Sequence, residues 1–415
     1  MRGIPAGGRR AAITVLATLA CTLAQAADPT ITVQFAPAPL PTVKGPVLVY
    51  ELNVHNFDSA ECARLAGVAM AGGVEAAALA GHWSGSALAG NALVYSGAMK
   101  PVATPPEGPV DIPAGGGAIL YFHVPLANAV PAPSALRHEL AFESCDGVAG
   151  QARQVEVEIP VSAEPPVVVG LPFEGAGWVA GDAVNDRGVH RRTAIPVEGA
   201  GGQPLLGRFH VPERYAIDWV MTDDQARRAI GPVDRNESYL AFGQEILAAA
   251  DGVIVAVRDG FPNHTPPYNP PGQTTQTAAG NYIMQDIGGG RFAFYAHLVP
   301  GSLRVAVGDE VRRGEVIALL GNSGNTSEPH LHFHVSDGPD PLMSEGVPFV
   351  FDHFAAAGHA DGMNEESGRF DDWQAHHPLP TRGLMPASFQ TIDTHGARSL
   401  HPRPLPPLPI RAPGG

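Results

Sequence analysis

The stretch Pro329-His330-Leu331-His332-Phe333-His334 places three imidazoles at every second position of an apolar run. Read as a strand, it points successive side chains to opposite faces, so the histidines share one face while Leu331 and Phe333 share the other. Such a strand buries its back and offers nitrogen ligands on its front. That is the arrangement a zinc site needs, provided other ligands arrive from elsewhere in the chain. Taken alone, the run also fits a solvated polar strand face that carries its histidines without a ligand.

The surrounding sequence keeps the same β character. Residues 214–219, 252–257 and 291–297 read as strands from their β-branched and aromatic content, with Asp218 on the opposite face from Ile217 and Trp219. Residues 307–311 and 314–321 add closely spaced strands and tight turns, and Gly288-Gly289-Gly290 reads as a hairpin turn. Residues 260–280, rich in Pro, Thr, Gln and Gly, are expected to form a loop bordering a groove. The expectation for residues 166–352 is a compact antiparallel β domain. Upstream, residues 30–35, 47–56, 118–124, 136–143 and 155–161 alternate between Gly- and Pro-rich turns, which favours an Ig-like β-sandwich over residues 27–165. The alanine-rich residues 60–80 are ambiguous, because interspersed glycines weaken a helix. Glu164-Pro165-Pro166 marks a linker, and no catalytic cluster precedes it. After about Phe354 the periodicity fades, so residues 353–415, Pro-rich from 401 onward, are expected to form a disordered or loosely docked tail. The fold class expected for the whole chain is all-β.

The N-terminus reads as a cleaved secretory signal over residues 1–26. Arg2, Arg9 and Arg10 precede an apolar stretch, and Ala24-Gln25-Ala26 supplies the small residues a signal peptidase requires. The apolar stretch is too short for a permanent anchor, and no later segment offers about 18 uninterrupted apolar residues. A soluble, exported, periplasmic or extracellular protein is expected. Cys21 lacks the aliphatic residue three positions upstream that lipidation requires, since Thr18 stands there.

A hydrophobic content of 44% is ample for packed cores. Loss of the three signal arginines takes the formal charge from −15 to −18, which disfavours nucleic acid as a partner. Cys62 and Cys145 then remain, and an even pair in an oxidising compartment most simply forms a disulfide. No His-Glu-x-x-His and no Gly-x-Ser-x-Gly occurs, so neither a helix-borne metalloprotease nor a nucleophile elbow is encoded.

Over residues 166–352 the chain resembles the lysostaphin-type, LytM-like zinc endopeptidases, which cleave peptide cross-links in peptidoglycan on a duplicated hybrid motif fold. The resemblance rests on Tyr295-Ala296-His297-Leu298, Gly308-Asp309, Gly321-Asn322-Ser323-Gly324 and Glu328-Pro329-His330-Leu331-His332-Phe333. It implies one Zn2+ held by a first histidine, by Asp218 and by His332. The usual spacing puts the first histidine four residues before the aspartate, yet Arg214 stands there. His190 is the preferred replacement, opening His190-Arg191-Arg192 ahead of an inserted hairpin, and His210 is the alternative. Two imidazoles and a carboxylate leave a fourth position open to water, as in catalytic zinc centres. The resemblance assigns His330 and His297 to proton transfer and oxyanion stabilisation, work that an imidazole of ordinary pKa about 6.5 suits. His334 is expected to stand beside the ligands without ligating.

The function so implied is exported, zinc-dependent hydrolysis of peptidoglycan cross-links, with stem peptides as substrate and envelope proteins as possible partners of the sandwich. Two alternatives stay open: a metal-free LytM-like module that activates a cell-wall amidase, and a zinc peptidase acting on other peptides.

Overall fold

The computed structural model describes residues 28–72, 79–103, 108–128, 131–146, 152–186 and 188–394. The expected signal segment and residues 395–415 lie outside the described residues. The fold is almost entirely β, with 3% helix and 46% strand. No helix among the described residues is long and apolar enough to cross a membrane.

The sheet that carries the histidines has ten strands. At its centre Leu331–Ser336 lies between Phe292–Ala296 and Ile217–Met221, antiparallel to both. The register sets Asp218 opposite His332 on one side and Ala296 opposite His332 on the other. Beyond Ile217–Met221 come Trp178–Asp182, Gln390–Asp393, Phe354–His359 and Gln374–Thr381. Beyond Phe292–Ala296 come Tyr282–Asp286, Gly252–Arg258 and the two-residue strand Glu310–Val311. Period-two alternation explains which face is dry. Leu331, Phe333 and Val335 are fully buried in one core with Ile217, Trp219, Ala293 and Tyr295. Each large side chain so buried contributes about 1.5–3 kcal/mol over leaving it in water.

The opposite face is less open than alternation alone predicts. His330 and His332 are 8% and 5% exposed, and His334 is fully buried. Residues 260–280 form no strand, and their loop is tied to the turn after Leu320 by an Asn263–Ser323 bridge and by the amide of Asn322 donating to Asn263 Oδ1.

Upstream, two sheets face one another across a shared core. One is ordered Thr30–Thr32, Val47–His55, Gly117–Pro125, Ala92–Tyr95, Pro101–Val102; the other is Arg153–Pro160, Ala135–Ser144, Ala63–Gly72, Leu79–Ser84, with Val110–Ile112 at the side of Ala63–Gly72. Leu48, Leu52, Leu120 and Phe122 of the first meet Leu65, Val68, Leu140 and Phe142 of the second. The ambiguous alanine-rich segment is therefore strand at 63–72, where tertiary pairing overrides weak local preference. Cys62 and Cys145 form a disulfide.

Residues 353–394 depart from the loose tail expected of them. Five strands lie within Phe354 to Asp393, and three of these join the ten-stranded sheet. Phe354–His359 is Ala-rich and buried at five consecutive positions. A strand covered on both faces carries no alternation to read.

Candidate metal centre

Three of the side chains singled out above converge. His190, Asp218 and His332 each offer one ligand-type atom within 4.8 Å of the others. His190 Nε2 lies 3.2 Å from Asp218 Oδ2, and His332 Nδ1 lies 3.0 Å from Asp218 Oδ1. Ligands at tetrahedral zinc distances stand roughly 3.3 Å apart, so these spacings and the donor set fit that ion. The other cysteine, histidine and carboxylate cluster among the described residues, Cys62, Asp111 and Cys145, has both thiols in the disulfide.

Each member is placed by a different element. His332 and Asp218 face each other across neighbouring strands. His190 opens a short 3-10 turn, His190–Arg192, that lies just after Trp178–Asp182. The strand Trp178–Asp182 is bulged between Ala180 and Asp182, which brings Asp182 into register with Asp218. Asp182 Oδ2 thereby reaches 3.5 Å from His190 Nδ1, a buried nitrogen with no hydrogen-bond partner. A carboxylate beside the outer nitrogen of a ligand imidazole fixes its tautomer and orientation.

His210 is not in this group. Its Nδ1 is 3.2 Å from Glu345 Oε1, on the hairpin formed by Ile195–Glu198 and Pro204–His210. Arg214, at the position where the resemblance expects a ligand, lies before the strand Ile217–Met221 and is buried in ion pairs with Glu51 and Glu345. The segment 214–219 is thus strand only from Ile217 onward.

The two expected proton-transfer histidines flank the cluster. His330 Nε2 is 3.4 Å from Asp218 Oδ1, and its Nδ1 donates to the Glu328 carbonyl at 2.9 Å. The His297 ring centre is 4.6 Å from that of His330 and 5.9 Å from that of His332. His297 Nδ1 donates to the Ser323 carbonyl at 2.8 Å. It adopts φ of +65°, a left-handed conformation that non-glycine residues enter at a cost and that clusters at functional sites. The carbonyl it uses is held where the chain passes very close to itself: a Cβ on Gly280, also at positive φ, would lie 2.2 Å from Ser323 O.

Sequence reading missed the support below. Arg228 and Glu328, both buried, form a two-pronged ion pair with both contacts at 2.7 Å. The backbone carbonyl of this same Glu328 holds His330, and Thr326 Oγ1 lies 3.0 Å from His330 Nδ1. His334 sits behind His332, its Nδ1 3.0 Å from His332 Nε2 and its ring against Phe294. Asp182 and Arg228 had no local signal beyond residue type.

Electrostatics follow the crowding. Burial works to raise Asp218, but His190 and His330 outweigh it and hold the carboxylate well below its usual range. Burial pulls His190 down, and the Asp218 charge reverses this and lifts it to about 10. His330 is likewise raised against burial by Asp218. Burial, with His330 and His332 adding to it, holds His297 well below an ordinary imidazole, and burial with His332 does the same to His334.

Residues 238–343 match the model of Peptidase family M23. This chain carries an M23 peptidase domain. His297, His330 and His332 fall inside the matched residues, whereas His190 and Asp218 precede them. The domain is similar to the peptidoglycan DD-endopeptidase ShyA of Vibrio cholerae serotype O1, 29% identical over 149 residues, covering 33% of this chain and 30% of ShyA. It is also similar to an uncharacterized metalloprotease of Buchnera aphidicola, 25% identical over 146 residues, covering 34% of this chain and 33% of that protein. The chain thus spans about a third of the length of these relatives. Among solved structures, the catalytic domain of lysostaphin from Staphylococcus simulans is 21% identical, covering 37% of this chain and 84% of that one, with a TM-score of 0.21.

Proposed function

We propose that this chain is an exported zinc endopeptidase that hydrolyses the peptide cross-links of peptidoglycan. In this reading His190, Asp218 and His332 hold the metal, and His330 and His297 move protons beside it. One observation carries it: two imidazoles and a carboxylate converge to within 4.8 Å, with the His330 ring and then the His297 ring next to them. The similarity to a peptidoglycan DD-endopeptidase supports the substrate class, and the signal-like residues 1–26 support export.

When bound, Zn2+ supplies a water whose pKa falls from about 15.7 to about 7, so that hydroxide is at hand near neutrality. The chain's own groups do the rest. Backbone carbonyls only accept hydrogen bonds, so His330 and His297 both carry their proton on Nδ1 when neutral. Each neutral ring therefore has an unprotonated Nε2 that can take a proton from the attacking water and return it to the leaving amine, and that of His330 stands 3.4 Å from Asp218 Oδ1. Protonated at Nε2, either ring donates toward the oxyanion that develops on the scissile carbonyl. Arg228 fixes Glu328, whose carbonyl fixes His330, so the ring enters the reaction already oriented.

The deciding experiment is digestion of purified sacculi with zinc-loaded protein, followed by mass spectrometry of the released fragments. New peptide termini within cross-links, absent after chelator treatment, are expected. Intact sacculi, or fragments opened only at the sugar–peptide amide, would overturn the assignment.

A further inference from the structure

Two of the three proposed ligands lie on segments gripped by the upstream pair of sheets. The His190–Arg192 turn follows a loop that the Arg192 guanidinium gathers, donating to Asp186 O at 3.1 Å and to Gly188 O at 3.1 Å. The same guanidinium donates to Gly90 O and to Asn91 Oδ1, both at 3.0 Å, across to the upstream sheets. Arg191 also donates to Asn91 Oδ1, at 2.9 Å, while its Nε and Nη1 are buried without partners. Asn91 is itself aimed. Its Nδ2 donates to Ala87 O at 2.9 Å, which turns Oδ1 toward the arginines, and its backbone bonds Leu88 and Tyr121.

The Asp218 segment is held in parallel. Four residues before Asp218, Arg214 donates to both Glu51 carboxylate oxygens, at 2.8 Å to Oε2 and 3.1 Å to Oε1, and Tyr215 donates to Val49 O at 3.3 Å. Glu51 and Val49 belong to Val47–His55 of the upstream sheets. A charge-assisted, two-pronged contact of this kind fixes direction as well as distance.

Resting on the metal assignment above, we infer that the upstream sheets are part of the scaffold of the metal centre, with Asn91 as a positioning residue for His190 and Glu51 for Asp218. Asn91 reaches His190 through the two arginines that follow it in the chain, and touches no ligand itself. Without the shared oxygen, two adjacent guanidinium groups lose their common acceptor and the turn is left with the Arg192 contact to Gly90 O as a looser tie. The entropy of ordering that loop would then be charged to metal binding.

The test uses the full chain and reads the zinc dissociation constant by competition with a chromophoric chelator. Asn91→Ala should raise the constant about tenfold, the lower end of what loss of an outer-shell partner does to metal affinity. Asn91→Asp gives up the donation to Ala87 O but presents a carboxylate that the two guanidinium groups attract, and should keep affinity within about threefold of wild type. Should Asn91→Ala fail to fold, Asn91→Gln carries the same expected loss, because its oxygen sits one methylene further out. Arg64→Ala serves as control: it breaks the Arg64–Asp111 ion pair within the upstream sheets and should leave zinc affinity unchanged. Unchanged affinity in Asn91→Ala, or an equal loss in Arg64→Ala, would overturn the inference while leaving the metal site intact. A wild-type chain that binds no zinc would instead sink the metal assignment and this inference with it.

Discussion

His332 is held on both ring nitrogens, by Asp218 on one side and His334 on the other, whereas His330 is held by a backbone carbonyl outside the ligand set. His332→Ala should therefore lose bound zinc and turnover together, and His330→Ala should keep zinc while losing most hydrolysis. Metal analysis of the two purified variants separates them, and zinc loss in His330→Ala would mark it as a ligand instead. Asp182 sits beside the outer nitrogen of His190, so Asp182→Ala should weaken zinc binding by about 10- to 100-fold, read by chelator competition. His330, His332 and Asp218 were singled out by motif and strand alternation together, whereas His190, in a 3-10 turn, was preferred to His210 through the resemblance alone. Asp182 was not legible. Strict alternation puts it on the face of buried Trp178 and Ala180, and only the bulge between Ala180 and Asp182 turns it toward the site.

Strands supply the ligands, yet a buried ion pair supports the turn before the central strand. Arg228 lies far from Glu328 in sequence and is 1% exposed, with further donors to the carbonyls of Arg369 and Asn364. Arg228→Met leaves the Glu328 charge buried and unpaired, which costs about 3–5 kcal/mol of stability, and the double change with Glu328→Gln should recover much of it. Urea unfolding of the metal-free proteins measures both; a loss below about 1 kcal/mol would mean the pair is no more than a surface contact. Alternating elements such as Ala135–Ser144 and Arg153–Pro160 were readable because one face is wet. Phe354–His359 was not, since burial at both faces erases the period. The pairing of Arg214 with Glu51 joins residues too far apart for any local pattern to record.

At the scale of the molecule, acid should loosen the upstream core. Burial pushes His138 down to about 4, with Tyr50 Oη 2.8 Å from its Nε2. Between an ordinary unfolded pKa of about 6.5 and that folded value, the unfolded chain takes a proton that the folded one refuses. Stability is then fully present above pH about 6.5 and falls by roughly 3 kcal/mol as pH drops to 4. His138→Leu should remove that increment, so urea unfolding of variant and wild type at pH 7 and pH 4.5 should show a smaller pH-dependent loss in the variant. Equal losses would show that His138 is free to charge in the folded state. The strand Gln390–Asp393 pairs with Trp178–Asp182, Trp178 opposite Ile392, and the Asp393 carboxylate caps the Gly177 amide at 3.0 Å. Strands so distant in sequence meet late, since the loop between them must close first. A growing polypeptide consequently leaves the Trp178–Asp182 edge without this neighbour until residue 393 has emerged.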